Sequence, residues 1–224
     1  MGWKNTTNII DKTAPYIPAL RFHWLTPLYD PVLKWGMQEE RFKRQLIAQA
    51  AITLHMQVLD LGCGTGTLTV LLKQLHPQSV VHGLDGDPAV LAIARRKAHQ
   101  HGMNIAWTQG FSFALPYPHA AFDRVVASLM LHHLNREQKR RTFGEMRRVL
   151  RAGGELHIVD FGPPRTSMTR WMSQIMRRLE ETADHLDGLL PALMAESGFG
   201  EIRETSHLTT IVGPLSLYRA VKAS

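Results

Sequence analysis

Three features of this chain have the residue types and spacing that chemistry requires. The first is Val58-Leu59-Asp60-Leu61-Gly62-Cys63-Gly64-Thr65-Gly66, where glycine recurs at alternate positions directly after a short apolar run. Glycines at such places permit turns that a Cβ would block and let the main chain approach a ligand closely. The helical pattern that follows, Thr67 to Leu75, would present unpaired N–H groups to a carboxylate or phosphate. A dinucleotide loop of the form G-x-G-x-x-G would need glycine at 67, where Thr67 stands, so the pattern is instead D-x-G-x-G-x-G. The second feature is Asp85, nineteen residues beyond Gly66 in Gly83-Leu84-Asp85-Gly86-Asp87-Pro88. A carboxylate there, at the end of a second strand, can accept two hydrogen bonds from the vicinal hydroxyls of a ribose. It could instead cap the helix beginning near Pro88, but Asp87 already suits that role. The third is the pair His132-His133. An imidazole with an ordinary near-neutral pKa suits removal of a proton from a phenol, enol or ammonium. The alternative is that one ring packs structurally while the other closes a pocket.

These groups need elements to position them. Apolar residues recur at helical spacing from about Asp30 to Ala50. Beyond that, Met56–Leu61, Val80–Leu84, Ile105–Thr108, Phe122–Leu129 and Glu155–Phe161 read as strands. Between them, Thr67–Leu75, Pro88–His101 and Asn135–Leu150 read as helices, the last stopped by Ala152-Gly153-Gly154. Such alternation predicts an α/β fold: a doubly wound, mostly parallel, Rossmann-like sheet with helices on both faces. Leu186–Glu196 reads as a further helix, and Glu201–Ser206 and His207–Lys222, broken at Gly213-Pro214, as the two strands that complete seven. Residues 1–30, rich in proline and aromatics, read as an arm. The domain plan is thus an N-terminal arm and helix over 1–50 that covers the cleft, and one domain over 51–224 in which 163–198 is a lid insertion.

Composition narrows the function classes. The chain has 224 residues, 44% of them hydrophobic, with 26 Lys+Arg against 19 Asp+Glu for a net charge of +7. One cysteine, Cys63, excludes a disulfide framework and a Cys-rich zinc site. No uncharged apolar run approaches the ~18 residues that span a bilayer, and no secretory leader is expected, so a cytoplasmic protein is predicted. His99 and His101 lack carboxylates at ligand spacing, and no metal is expected. Met168, Trp171, Met172, Ile175, Met176 and Leu179 form an apolar stripe among Arg165, Arg170, Arg177 and Arg178. That is a basic amphipathic helix, which can be core packing or can lie on anionic lipid and admit a lipophilic acceptor.

With these blocks in hand, the chain resembles the class I S-adenosylmethionine-dependent methyltransferases. The likeness rests on Tyr29-Asp30, the D-L-G-C-G-T-G loop, G-L-D-G-D-P, Leu115-Pro116-Tyr117 with Phe122-Asp123, Leu131-His132-His133-Leu134, and the run from Glu145 to Gly154. It looks most like the branch holding the ubiquinone/menaquinone C-methyltransferases and phospholipid N-methyltransferases. The resemblance implies S-adenosyl-L-methionine as cofactor. It implies that Gly62, Gly64 and Gly66 line the methionyl part with Asp60 supporting the loop, that Asp85, beside Gly86, holds the ribose, and that Ser128 lies near the methionyl amino group. Tyr29 joins this cofactor set. Where the family has Gly-Asp-Ala after the third strand, this chain has Gly110-Phe111-Ser112, so Phe111 packs and Ser112 or a backbone carbonyl meets the adenine. Catalysis by His132 or His133 is expected; quinone-specific members carry Arg-Asn there, a departure that counts against a straightforward quinone-ring methylase.

Methyl transfer from a sulfonium is an in-line displacement, so the protein must chiefly align the acceptor and exclude water. Nucleic acid is not expected as partner: the place of the Asn/Asp-Pro-Pro-aromatic turn of base amine methylases reads Ser128-Leu129-Met130-Leu131. Cys63, inside the glycine loop, is badly placed as a pyrimidine nucleophile. The expected acceptor is a small apolar or amphipathic molecule, handled by a monomer or homodimer with peripheral contact to anionic membrane. The alternatives are a phospholipid N-methyltransferase at the membrane surface and an inactive cofactor-binding partner subunit.

Overall fold

A computed structural model describes residues 39–167, 169–171, 182–210 and 213–223. Tyr29, the arm and most of the Met168–Leu179 stripe therefore lie outside the described residues. Seven strands form one sheet: β1 Gln57–Leu61, β2 Val80–Asp85, β3 Ala106–Gln109, β4 Phe122–Ser128, β5 Leu150–Phe161, β6 Phe199–Thr210 and β7 Gly213–Lys222. Their order is β3-β2-β1-β4-β5-β7-β6. All neighbours run parallel except β7, which is antiparallel to both β5 and β6. The winding reverses between β1 and β4, and in such sheets the crevice for ligands opens beyond the carboxyl ends of the strands at that point. The predicted fold class is what the chain adopts.

Local chemistry sets the helices that flank this crevice. α1 is Glu39–Ala50, α2 Thr67–Leu75, α3 Pro88–Gln100, α4 Arg136–Val149, α5 Ala183–Leu186 and α6 Leu190–Glu196. Asp87 caps α3, its side chain accepting the Ala89 N–H, with Pro88 in the first turn where no N–H is needed. Asn135 and Gln138 form a reciprocal capping box at α4, which fixes where the chain re-enters a helix after His132-His133. Three boundaries differ from expectation. β5 begins at Leu150, because Gly153 (φ 69°) turns the chain without ending its pairing; Phe122 sits opposite Leu150, with a bulge before Arg124. The helix expected over Leu186–Glu196 is two helices, α5 and α6, separated at Gly188 (φ 70°). The last two strands meet at Thr210 and Gly213, not between Ser206 and His207.

Core packs on both faces of the sheet. On one, Leu59, Val125, Phe143, Met146 and Leu190 join β1, β4, α4 and α6. On the other, Phe42 and Leu46 of α1 and Leu72 of α2 press on Val58, Val126 and Val159. α1 is further tied by Gln49, whose Nε2 donates to the Tyr218 carbonyl at 2.8 Å and lies 3.0 Å from His157 Nδ1. Phe42 is wholly buried. Phe42→Ala should therefore cost about 3–5 kcal/mol through lost burial and a residual cavity. The check is the urea midpoint at unchanged m-value; a shift worth under ~1 kcal/mol would mean that α1 is not seated on the sheet as described.

Candidate active site

The three glycines after β1 all take left-handed backbone, with φ of 70°, 52° and 75° at Gly62, Gly64 and Gly66. That geometry cannot continue a sheet or a helix, so the loop's N–H groups need other partners. β2 supplies them. The N–H groups of Gly62 and Cys63 both donate to the Leu84 carbonyl, at 2.8 and 3.0 Å. Gly64 N–H donates to Asp85 Oδ2 at 2.8 Å, and the other oxygen, Oδ1, accepts Asp87 N–H at 3.0 Å. A Cβ on Gly62 would lie 2.7 Å from Met130 Cβ, and one on Gly66 would lie 2.8 Å from both Ala94 and Trp107. At Gly64 a Cβ would meet nothing within 4 Å. Gly64 is thus required by its φ, and open space lies where its side chain would be.

Burial shapes the acid chemistry around this loop. Asp60 is 1% exposed and accepts the Thr69 hydroxyl at 2.6 Å; burial pushes its carboxyl up to about 6. Burial also raises Asp85, while the N–H groups of Asp87 and Gly64 oppose the rise. Cys63 is buried, and burial with the nearby Asp60 and Asp85 pushes its thiol far up, so it is a packing group and no nucleophile. Gly86 lies beside Asp85, its carbonyl 3.4 Å from Gln109 Nε2. After β3, Gly110 N–H donates to the Asp85 carbonyl at 3.0 Å. Phe111 stacks on Phe113 at 5.3 Å between centroids. Ser112 is buried, and its hydroxyl pairs with Thr142 Oγ1 at 3.0 Å.

The other half of the crevice lies at the ends of β4 and β5. β4 ends at half-buried Ser128, after which Leu129 takes φ 53° and the chain turns through a short 3₁₀ segment, Leu131–His133. His132 is buried, and its Nδ1 lies 2.8 Å from Asp160 Oδ1. Asp160 also accepts the N–H groups of Leu131 at 2.9 Å and Phe161 at 2.8 Å. Burial alone would raise this carboxyl, but the charge of His132 and His185 and these donors hold it well below the usual carboxylate range. The His133 ring lies 4.0 Å from that of His132, and burial lowers its pKa to about 3. His185 of α5 is wholly buried, with Nδ1 3.3 Å from the Phe161 carbonyl, and burial lowers it to about 4.

The fold therefore brings Asp60, Gly62, Gly64, Gly66, Asp85 and Gly86 together at β1–β2 and Ser128, His132 and His133 together at β4–β5. Sequence reasoning missed Thr69, Trp107, Asp160 and His185. A charge closing an otherwise apolar strand, Ile158-Val159-Asp160-Phe161, is the signal that could have found Asp160; His185 has none.

Comparison with known proteins agrees with this arrangement. Residues 58–154 match the family described as "Methyltransferase domain". The chain is 36% identical to a demethylmenaquinone methyltransferase of Thermus thermophilus, across 64% of this chain and 65% of the relative. It is 32% identical to a 2-phytyl-1,4-naphtoquinone methyltransferase of Thermosynechococcus vestitus, across 78% of this chain and 81% of that protein. It spans slightly less than two thirds of the length of the Thermus relative and of a Deinococcus radiodurans one. Among solved structures, the YcgJ protein of Bacillus subtilis shares the fold at a TM-score of 0.66 and 17% identity, over 83% of this chain and 99% of that one.

A pH effect follows from the buried rings. The folded pKa of His185, about 4, is below an unfolded histidine's ~6.5, so the unfolded chain binds a proton that the folded one refuses. Stability is complete above ~6.5 and falls as pH drops toward about 4, by up to ~3 kcal/mol for this group. Asp60, raised to about 6, acts oppositely: its contribution is present at low pH and is lost as pH rises through 6. His185→Gln should flatten the acid limb. Urea unfolding of both proteins at pH 7.5 and 4.5 checks this, with a narrower difference expected in the variant.

Proposed function

The chain belongs to the S-adenosylmethionine-dependent methyltransferase family, and on that premise we propose that it transfers the cofactor's methyl group to a small apolar or amphipathic acceptor. The carrying observation is the pairing of three left-handed glycines with Asp85 at the adjoining ends of β1 and β2. The residues fit the cofactor. Each Asp85 oxygen already accepts one N–H and has lone pairs left for a ribose hydroxyl. Gly64 presents main chain with no side chain in the way. Gly62, Gly64 and Gly66 would line the methionyl part, with Asp60 holding α2 to the loop through Thr69, and Ser128 and Tyr29 completing it. With Ser112 bonded to Thr142, adenine contact from this loop falls to main chain and to the Phe111 ring.

When bound, the cofactor supplies an activated methyl on a good leaving group. The chain's own residues then have three tasks. They orient the acceptor beyond β4 and β5, exclude water, and take a proton where the acceptor must lose one. His132 is the base in this reading, and His133, held neutral by burial, walls the pocket. Residues 163–198 would form the lid and 1–50 the cover. Two relatives act, by name, on naphthoquinone-type rings, so a reduced prenylated naphthoquinone is the first acceptor to try. A second reading, peripheral contact with anionic membrane, is favoured by Trp171, which is 66% exposed beside Arg170.

Isothermal titration with S-adenosylmethionine tests the cofactor site. Asp85→Ala should weaken binding by about 2–3 kcal/mol, as expected for hydrogen bonds to a charged group; equal affinity would remove Asp85 from the ribose. Release of S-adenosylhomocysteine with the naphthoquinol probe tests catalysis and separates an enzyme from an inactive subunit. There His132→Ala should lower turnover ~10²–10⁴-fold with cofactor affinity kept, whereas wild-type turnover in the variant would retire His132 as base. Co-sedimentation of wild type and Trp171→Ala with anionic vesicles at low and high salt tests the second reading, which requires salt-sensitive binding weakened in the variant.

A further inference from the structure

α4 does more than cover the sheet. Thr142, Glu145 and Arg148 stand at three-residue intervals on one face of this helix, and each bonds to the loop that leaves β3. The Thr142 hydroxyl pairs with that of Ser112 at 3.0 Å. Glu145 Oε2 accepts the Leu115 N–H at 2.7 Å, and Arg148 Nη2 donates to the Leu115 carbonyl at 3.0 Å. Both main-chain groups of one loop residue are thereby held by one helix. Arg148 Nη1 donates to the Tyr117 carbonyl at 2.8 Å as well. The two charged side chains also hold each other. Arg148 Nε meets Glu145 Oε1 at 2.6 Å and Nη2 meets Oε2 at 2.8 Å, a two-pronged contact between half-buried groups. At its start the same loop is tied to β2, where Gly110 N–H donates to the Asp85 carbonyl at 3.0 Å. Within it the chain folds back, the Ala114 N–H donating to the Phe111 carbonyl at 3.1 Å.

We propose that Glu145 and Arg148 are positioning residues for the adenine end of the cofactor site: they fix the path of the loop after β3, and that path is what meets the adenine. This rests on the reading of the crevice as an S-adenosylmethionine site and adds two residues that act on it through the loop. A side chain can turn about its own bonds to find a ligand, but a main-chain N–H or C=O goes only where the chain goes. Ser112 is engaged by Thr142, so main chain and the Phe111 ring are what this loop has to offer, and both are placed by its path. Such groups serve only if their support holds them to within about 0.5 Å. Tying the loop at Leu115 and Tyr117 beforehand also removes the entropy cost of ordering it when the cofactor arrives. The pair acts as a unit. Arg148 holds the Glu145 carboxyl below its ordinary range, so Glu145 stays an ionised acceptor, and Glu145 in turn aims the guanidinium at two carbonyls.

The test is isothermal titration of the full chain with two ligands. One is S-adenosylhomocysteine; the other is S-ribosylhomocysteine, which has the same sugar and amino-acid end but no adenine. Arg148→Met removes both carbonyl contacts and should weaken S-adenosylhomocysteine ~10-fold while leaving the adenine-free ligand unchanged. Glu145→Ala should show the same selective loss. Arg148→Lys keeps the charge but not the fork and should lose ~3-fold with the same selectivity, a milder change that decides the matter where Arg148→Met does not fold. A urea midpoint for each variant separates lost folding from lost binding. An equal loss for both ligands would make the pair a general support of the fold and overturn the proposal. So would unchanged affinity for S-adenosylhomocysteine in the folded variants, or a wild type that binds the adenine-free ligand as tightly as the complete one. A wild type that binds neither ligand sinks the methyl-transfer reading itself, and the adenine-end role with it.

Discussion

Hydrogen bonds from the glycine loop to the end of β2 are the constraint on which the cofactor half of the molecule depends. Three left-handed residues in five leave N–H groups that neither helix nor sheet can satisfy, and burying them unpaired would cost about 1–3 kcal/mol each. Parallel pairing solves this, because the register that sets Leu61 beside Leu84 delivers the Leu84 carbonyl to two of these groups and the Asp85 carboxylate to a third. A slip of one residue would turn Asp85 to the opposite face of the sheet. β3 joins the same arrangement: Trp107 packs so close to Gly66 and Gly83 that neither position has room for a Cβ.

The β4–β5 half obeys the same logic with different groups. Pairing of Ser128 with Val159 sets Asp160 one residue past the last parallel contact, level with the turn that begins at Leu131. Buried carboxylates then diverge by how many donors they meet. Asp60 has the Thr69 hydroxyl, and burial dominates, which raises it to about 6. Asp160 has two main-chain N–H groups and an imidazole, and these outweigh an equally complete burial. Desolvation is similar in the two places; the charge of His132 and His185, joined by the donors, decides the sign. The two carboxylates thus differ through their neighbours, not through carboxylate type.

Much of this was legible in the sequence, and the parts that were not share a cause. The glycine loop, Asp85 and the separate strands and helices follow from local pattern, since each is encoded in one contiguous stretch, and their alternation implies the sheet. The misplaced boundaries lie where long-range pairing overrides local punctuation. Ala152-Gly153-Gly154 looks like a helix stop, but β5 already pairs at Leu150 with Phe122, a contact between residues far apart in the chain. The break at Ser206/His207 gave way because Leu217 and Ser216 of β7 pair with Ser206 and His207 in turn. Ser112 illustrates the limit for side chains: only the packing of α4 shows that its hydroxyl meets Thr142.

The matched methyltransferase segment does not contain every group of the cluster at the ends of β4 and β5. The matched methyltransferase segment, 58–154, contains the glycine loop, Asp85 and His132, and stops six residues before Asp160. His185 lies further still, in a four-residue helix whose burial against β5 brings it to the carboxylate. A cofactor common to many relatives asks for a common loop, and local sequence can encode that loop. An acceptor is particular to each enzyme, so its site draws on residues that only tertiary packing assembles. Asp160 stands at the junction, since its backbone belongs to the shared sheet and its side chain lies against both the His132 turn and His185 of α5.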